Sequence, residues 1–250
     1  MSGHSKWSTI KRQKGAADAK RGQMFTKLAK EIIVAAKQGG TSPESNFRLR
    51  LAIQKARDNN MPTDNIERAI KKGSGSQDAS NLAELTLEGY GPKGAAVLVE
   101  AFTDNRNRTL SEVRNAFSKH GGNLGESGCV AWMFENKGVI TIELGKKNSE
   151  DLALIAIDAG ADDVNEGDEY LEIYTTPQNL EVVRSAVEKE SNVISAEVSM
   201  VPTTTVMLDE KGTMQALKLV DHLEELDDVQ HVYTNFDFSE ELAEKLRSEA

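Results

Sequence analysis

Apolar side chains return along the first quarter of the chain with the period of a helix. Phe25, Leu28, Ala29, Ile32 and Ala36 stand at i, i+3, i+4, i+7 and i+11, one stripe of an amphipathic helix that Gly39-Gly40 closes. Leu49, Ala52, Ile53 and Ala56 make a second stripe, with Ser42-Pro43 as N-cap and first helical residue and Asn59-Asn60 as its end. A third, short helix follows Met61-Pro62. Asp64 with Glu67 three residues on predicts its cap, Ile66, Ala69 and Ile70 face inward, and Lys71-Lys72 suits the negative end of the helix dipole. Gly73-Ser74-Gly75-Ser76 then reads as a flexible linker and a domain boundary. Residues before Gln23 carry little apolar periodicity and predict an arm that orders only when something holds it.

Beyond the linker the period shortens to that of strands. Apolar runs at 85–87 and 95–102, joined by a glycine-rich turn at 89–94, predict a hairpin. Thr109-Leu-Ser-Glu112 is a capping box for a helix whose Leu110, Val113 and Phe117 face a core, and His120-Gly121-Gly122 stops it. A strand is expected again at 130–134. Residues 138–201 alternate strand at 139–144, helix at 149–159, strands near 163 and at 170–175, helix at 177–191 and strand at 195–201. That βαββαβ order is the split βαβ, ferredoxin-like arrangement, and Thr176-Pro177 with Leu180, Val183 and Val187 marks its second helix. A strand at 204–208, a helix at 212–226, a strand at 230–235 and an exposed acidic tail follow; they are too few to close a domain alone and are expected to complete the sheet begun at residue 85. The predicted fold class is α+β and multidomain: a three-helix N-terminal domain with its arm (1–76), a middle α+β domain (77–136 plus 202–250), and a ferredoxin-like unit (137–201) inserted into it.

Composition restricts the function. With 250 residues, 38% of them hydrophobic and 28% charged, the chain reads as globular, and no run of about 18 apolar residues could span a bilayer. One cysteine excludes an internal disulfide, and the first 25 residues have no apolar signal core, so the expected location is cytoplasmic. The net charge of −10 would by itself argue against a phosphate-bearing partner. Position reverses that reading, because residues 1–72 hold 16 Lys or Arg against 6 Asp or Glu, while 73–250 hold 14 against 34. Screening over about 8 to 10 Å lets a basic module act locally beside an acidic body.

Candidate chemistry follows from that split. Lys6, Lys11, Arg12, Lys14, Lys20 and Arg21 in the arm can neutralise phosphates, and Trp7 among them offers a face on which an unpaired base could stack. Lys27 and Lys30 extend the set along the first helix. On the second helix, Arg48 with Lys55 and Arg50 with Arg57 stand at i, i+7 on either side of the apolar stripe. Arg106 and Arg108 lie in Thr103-Asp-Asn-Arg-Asn-Arg-Thr109, before a helix N-terminus that suits phosphate; local capping of the loop by Asp and Asn is the competing reading. Gly89-Tyr-Gly-Pro-Lys-Gly94 matches the dinucleotide fingerprint, but a strand rather than a helix follows it, so it reads as a hairpin turn. His4, His120, His222 and His231 show no ligand spacing, and Cys129 beside Val130 reads as core in an apolar strand. No metal, cofactor or catalytic constellation is expected, and pairs such as Asp227-Asp228 read as a solvated face. No helix shows a row of Asn, Gln and Arg for major-groove readout.

Seven segments occur in the order of a known family. They are Gly3-His-Ser-Lys-Trp7, Asp18-Ala-Lys-Arg-Gly22 with Phe25-Thr-Lys-Leu28, Arg50-Leu-Ala-Ile-Gln-Lys55, Met61-Pro62 with Asp64-Asn-Ile-Glu-Arg-Ala-Ile-Lys-Lys-Gly73, Glu88-Gly-Tyr-Gly-Pro92, the Thr103 to Thr109 motif, and Phe117-Ser-Lys-His-Gly-Gly-Asn-Leu-Gly125. Together they resemble the YebC/PmpR family. The resemblance implies three domains, the last inserted in the second, and a non-enzymatic regulator of gene expression whose partner is nucleic acid. Bacterial members are described as probable transcriptional regulators that bind DNA; others act in translation, on messenger or ribosomal RNA and on ribosomes stalled at proline runs, which makes the ribosome a further candidate partner. Lys11-Arg-Gln-Lys14 departs from the order that members often carry but keeps its charge. The motif at Gly3 leaves no room for a mitochondrial presequence, so the bacterial-type role is the expectation.

Overall fold

The computed structural model describes residue 6 and residues 18–75, 82–144, 148–167 and 170–248, with side chains in the first helix from residue 22 onward. Two compact units emerge: residues 132–205, and the remainder of the chain on either side of them.

The larger unit begins with α1 (Asp18–Gly39), α2 (Phe47–Asp58) and α3 (Thr63–Gly73). Leu28, Ile32, Ala36, Leu49, Ile53, Met61, Ile66 and Ala69 interlock in one buried cluster, so the three apolar stripes face one another. α1 therefore starts before Gln23, within the segment expected to be an arm. The start of α2 also differs from expectation. Ser42-Pro43 lies in a turn, and buried Asn46 is the cap: its Oδ1 accepts from Leu49 N at 3.0 Å, while Nδ2 donates to the carbonyls of Ala35 at 2.8 Å and Gly40 at 2.7 Å. One amide thus caps α2 and satisfies two carbonyls at the end of α1. α2 closes with Asn60 in the left-handed region (φ 58°) and a bond from Met61 N back to Ala56 O. Asp64 is in the first turn of α3 and makes no cap, the N-cap position being Pro62. Gly73, read as linker, is the last residue of α3 and buried. A Cβ there would lie 2.7 Å from Ala36 Cβ and 2.8 Å from Ile33 O, so the glycine is where α3 meets α1.

The same unit continues with β1 (Ala83–Tyr90), β2 (Ala96–Thr103), α4 (Arg106–Lys119) and β3 (Asn123–Leu124). After the inserted unit come β8 (Val206–Met207), α7 (Glu210–Glu224), β9 (Val229–Thr234), β10 (Phe236–Asp237) and α8 (Glu240–Ser248). The sheet runs β3-β1-β2-β9, all antiparallel, so the strand after the insertion completes the hairpin before it. Val97, Val99, Val113, Phe117, Leu219, Leu223 and Val232 fill the core between this sheet and α4 and α7. The expected acidic tail is folded: β10 pairs with β8, and α8 buries Leu242, Ala243 and Leu246 while its acids face outward. α4 starts a turn earlier than the Thr109 capping box, at the Asn105 cap. Of the strand expected at 130–134, only Phe134 is in a strand. There the chain bends around buried Glu88, whose carboxylate accepts from the backbone N–H of Gly128, Val130 and Ala131 at 2.6 to 2.8 Å. Burial would raise that carboxyl's pKa, and the three N–H donors outweigh it and hold it low. Cys129 accordingly lies in this loop, half-buried, rather than in a strand.

The second unit holds β4 (Phe134–Glu143), α5 (Ser149–Asp158), β5 (Asp163–Glu166), β6 (Tyr170–Thr175), α6 (Leu180–Val187) and β7 (Val193–Pro202). Its sheet order β5-β6-β4-β7, antiparallel throughout, is the ferredoxin-like topology. α6 is shorter than expected and begins three residues after Pro177. The fold class is α+β, with a helical N-terminal part followed by two α+β parts.

Helix propensity would favour alanine over glycine at position 73 by about 0.5 to 1 kcal/mol. The contact with α1 predicts the opposite sign. Gly73→Ala should lower the urea unfolding free energy by roughly 1 to 3 kcal/mol, and an unchanged or raised value would contradict this packing.

Candidate nucleic-acid interface

The basic residues of the helical part are divided between the protein's own acids and solvent. Trp7, Lys11, Arg12 and Lys14 lie outside the described residues, and Lys20 and Arg21 fall in the first turn of α1. Lys6 is turned inward: its Nζ is 2.8 Å from Glu240 Oε1 and 3.2 Å from Asp237 Oδ1, and it donates to Phe238 O at 3.1 Å. Burial would lower this ammonium's pKa, and the two carboxylates outweigh it, leaving it raised.

On α1, Lys27 Nζ donates to Glu224 O at 2.6 Å and Lys30 Nζ to Asp227 O at 2.9 Å. Gln23, a turn earlier, reaches Glu225 O at 2.6 Å. These side chains close the C-terminal end of α7, whose last carbonyls have no partner within the helix. Lys30 also pairs with Asp228 Oδ1 at 2.8 Å.

Asp228 is the convergence point. Its Oδ2 receives Arg108 Nη2 at 2.6 Å and the hydroxyls of Thr103 and Thr109 at 3.0 and 2.8 Å. Asn105 caps α4 by accepting from Arg108 N at 3.1 Å, and its own N–H donates to Thr103 Oγ1. Arg108 also pairs with Asp104 at 2.9 Å. The Thr103 to Thr109 motif thus makes the local cap of its competing reading through Asn105, and beyond that reading it surrounds the carboxylate of Asp228. Burial pushes the Asp228 carboxyl's pKa up, but the Arg108, Lys30 and Thr109 bonds outweigh it and hold it far below the ordinary aspartate value.

Arg48 on α2 is engaged likewise, with Glu84 at 2.8 Å, Gln38 at 2.6 Å and the Phe102 ring centroid 5.7 Å away. Arg50 donates to Pro43 O at 3.0 Å and lies 5.5 Å from the Phe47 ring centroid, and Lys55 is 3.9 Å from Glu31. Arg57 and Arg106 are exposed. Between the helical part and the middle domain runs a cleft of about 1190 Å³, with Phe25, Ala29, Ile33 and Met61 on its apolar side and Lys30, Arg68, Lys72 and Arg108 among its charged residues. Sequence reading missed Arg68 here, and it took Lys72 only as a partner of the helix dipole, although the two stand at i, i+4. It also missed Asp228, which pattern alone cannot separate from its exposed neighbour Asp227.

A model of the TACO1/YebC N-terminal domain matches residues 5–76, and one of the TACO1/YebC second and third domains matches residues 82–236. The chain belongs to the TACO1/YebC family. Among relatives of this TACO1/YebC chain, one named a probable transcriptional regulatory protein, from Dehalococcoides mccartyi strain BAV1, is 61% identical over 100% of both chains. Another of the same name, from Natranaerobius thermophilus, is 53% identical over 98% of this chain and 99% of its own. The crystal structure of a conserved hypothetical protein from Aquifex aeolicus, 50% identical, superposes with a TM-score of 0.80 over 89% of this chain and 92% of that one.

The Asp228 cluster predicts a pH-dependent stability term. Because the folded carboxyl has the lower pKa, its contribution is present above the unfolded value near 3.8 and is lost as pH falls below it toward the folded value. Asp228→Asn should cost about 2 to 3 kcal/mol at neutral pH, and the gap to the parent should narrow in urea titrations taken toward pH 3. A gap independent of pH would contradict the assignment.

Proposed function

We propose that this protein is a non-enzymatic regulator of gene expression that binds nucleic acid through its basic N-terminal segment, as a transcriptional regulator of the YebC/PmpR type acting on DNA. The observation that carries the reading is the partition of charge, with 16 cations against 6 acids in residues 1–72 and 14 against 34 beyond. The names of the relatives, probable transcriptional regulatory proteins, support the same role. Several cations of α1 and α2 are engaged within the fold, so the phosphate contacts fall to Lys11, Arg12, Lys14, Lys20 and Arg21 of the N-terminal segment, together with the exposed Arg57 and Arg106. Lysine and arginine chains of this kind grip phosphate without reading bases. The acidic remainder repels nucleic acid over most of its surface, which favours contact at the basic end.

Trp7 favours a second reading, binding to messenger or ribosomal RNA in translation, because an indole among lysines can stack on an unpaired base and has no such use on a duplex. Crosslinking in cells followed by sequencing separates the two, promoter DNA supporting the first and ribosomal or messenger RNA the second. In vitro, the full-length Lys11→Gln/Arg12→Gln/Lys14→Gln protein should bind duplex DNA more weakly, with the slope of log affinity against log salt reduced by about 2 to 3. Unchanged affinity and slope would overturn the role given to this segment.

A further inference from the structure

The middle domain is acidic in sum, yet one line of its surface is basic. On α7, Lys211, Gln215, Lys218 and His222 stand at i, i+4, i+7 and i+11 and so share a face; the first three are exposed and His222 is half-buried. At one end of this stripe, Lys93 adjoins the first turn of α7, since a Cβ on Gly212 would come within 3.2 Å of Lys93 Cγ. At the other end, His120 from the close of α4 lies against His222, ring centroids 5.3 Å apart, and brings exposed Lys119 beside it.

Three features distinguish this line from a solvated helix face. Lys93, Lys119, Lys211 and Lys218 make no ion pair among the described residues, in contrast to Lys6, Lys30 and Arg48. The acids at the start of α7 are used elsewhere, Asp209 as the N-cap bonded to Gly212 N at 2.8 Å and Glu210 in a pair with Lys245. Asp221 stands at i+3 and Glu225 at i+7 from Lys218, so acids at the C-terminal end of α7 bound the basic line at His222. Burial lowers the pKa of His120, and its positive neighbours His222, Lys119 and Lys218 lower it further; among the described residues its Nε2 is buried without a hydrogen-bond partner. Lysines gathered with no ion pair among the described residues are stabilised by an anion. Lys93 adds to this by occupying a left-handed backbone position (φ 61°), where glycine would cost less.

We propose that Lys93, Lys211, Lys218 and Lys119 form a second nucleic-acid contact, a line of cations on the middle domain that tracks a phosphodiester backbone. The proposal rests on the reading of the protein as a nucleic-acid-binding regulator and adds to it a site remote in sequence from the N-terminal segment. From Lys211 to His222 the stripe covers about 16 Å at about 1.5 Å per residue, about five backbone charges of one strand at 3.4 Å each. It contains no row of base-reading groups, so it adds affinity and orientation rather than sequence preference.

The test uses the full-length protein with Lys119→Gln, Lys211→Gln and Lys218→Gln combined, and the same three positions changed to Arg. Binding to an oligouridylate and to a DNA duplex of equal charge is followed by fluorescence anisotropy across a salt series. The Gln variant should bind at least about tenfold more weakly, with a salt slope smaller by about 2, and the Arg variant should match the parent. Loss on the oligouridylate alone would assign the line to single strands, and loss on both to the backbone in general; either supports the site. A parent that binds while the Gln variant binds equally well with the same slope overturns this site and leaves the N-terminal reading standing. A parent that binds neither probe overturns both.

Discussion

A carboxylate taken out of water without partners would be too costly to keep ionised. Asp228 is buried and ionised because four groups from three elements meet it: Lys30 from α1, Thr103 from the end of β2, and Arg108 and Thr109 from α4. That requirement fixes more than a side chain. Holding Arg108 and Thr109 sets where α4 begins, holding Thr103 sets where β2 ends, and holding Lys30 seats the helical part against the segment between α7 and β9. The neighbouring bonds from Gln23 and Lys27 to the last carbonyls of α7 reinforce the same seat.

This arrangement changes the meaning of the charge distribution. The positive excess of the first 72 residues is not a uniform phosphate-binding surface. Lys6, Lys27, Lys30 and Arg48 hold the helical part to acids and carbonyls of the middle domain and α8, and the middle domain in turn has its own exposed lysines along α7. Opposite net charges on the two parts therefore serve adhesion between them, and only the cations left over are free for the external contact proposed above.

Much of the fold was legible because its signals are local and repeated. The stripe from Phe25 to Ala36 and the βαββαβ order of the inserted unit depend on periodicity alone, and both appear in the expected order, although the first helix and first inserted strand start about five residues early and the second inserted helix is shorter. The errors fall where one side chain has a long-range partner. Asn46 displaces Ser42-Pro43 as a cap because its amide also reaches the end of α1, and Asn105 displaces the Thr109 box because Thr109 is bound to Asp228. Gly73 looked like linker, although its lack of a side chain is what lets α3 approach α1. The C-terminal acids suggested a solvated tail, while Leu242, Ala243 and Leu246, spaced as a helix stripe, carried the opposite signal. Of the candidate site, the polarity of charge was legible, but which cations are engaged was not, since pairing is decided by tertiary partners, more than a hundred residues away for Lys6, Lys27, Lys30 and Arg108 and 36 residues away for Arg48.

The claim that one buried carboxylate seats the helical part is tested most directly by amide hydrogen exchange on the parent and the Asp228→Asn protein at neutral pH. The account predicts that residues 22–39 of α1, the 224–229 segment and the first turn of α4 lose protection together, while β4, β6 and β7 of the inserted unit exchange as in the parent. Unchanged protection in α1 and α4, or a loss spread evenly over both units, would contradict it.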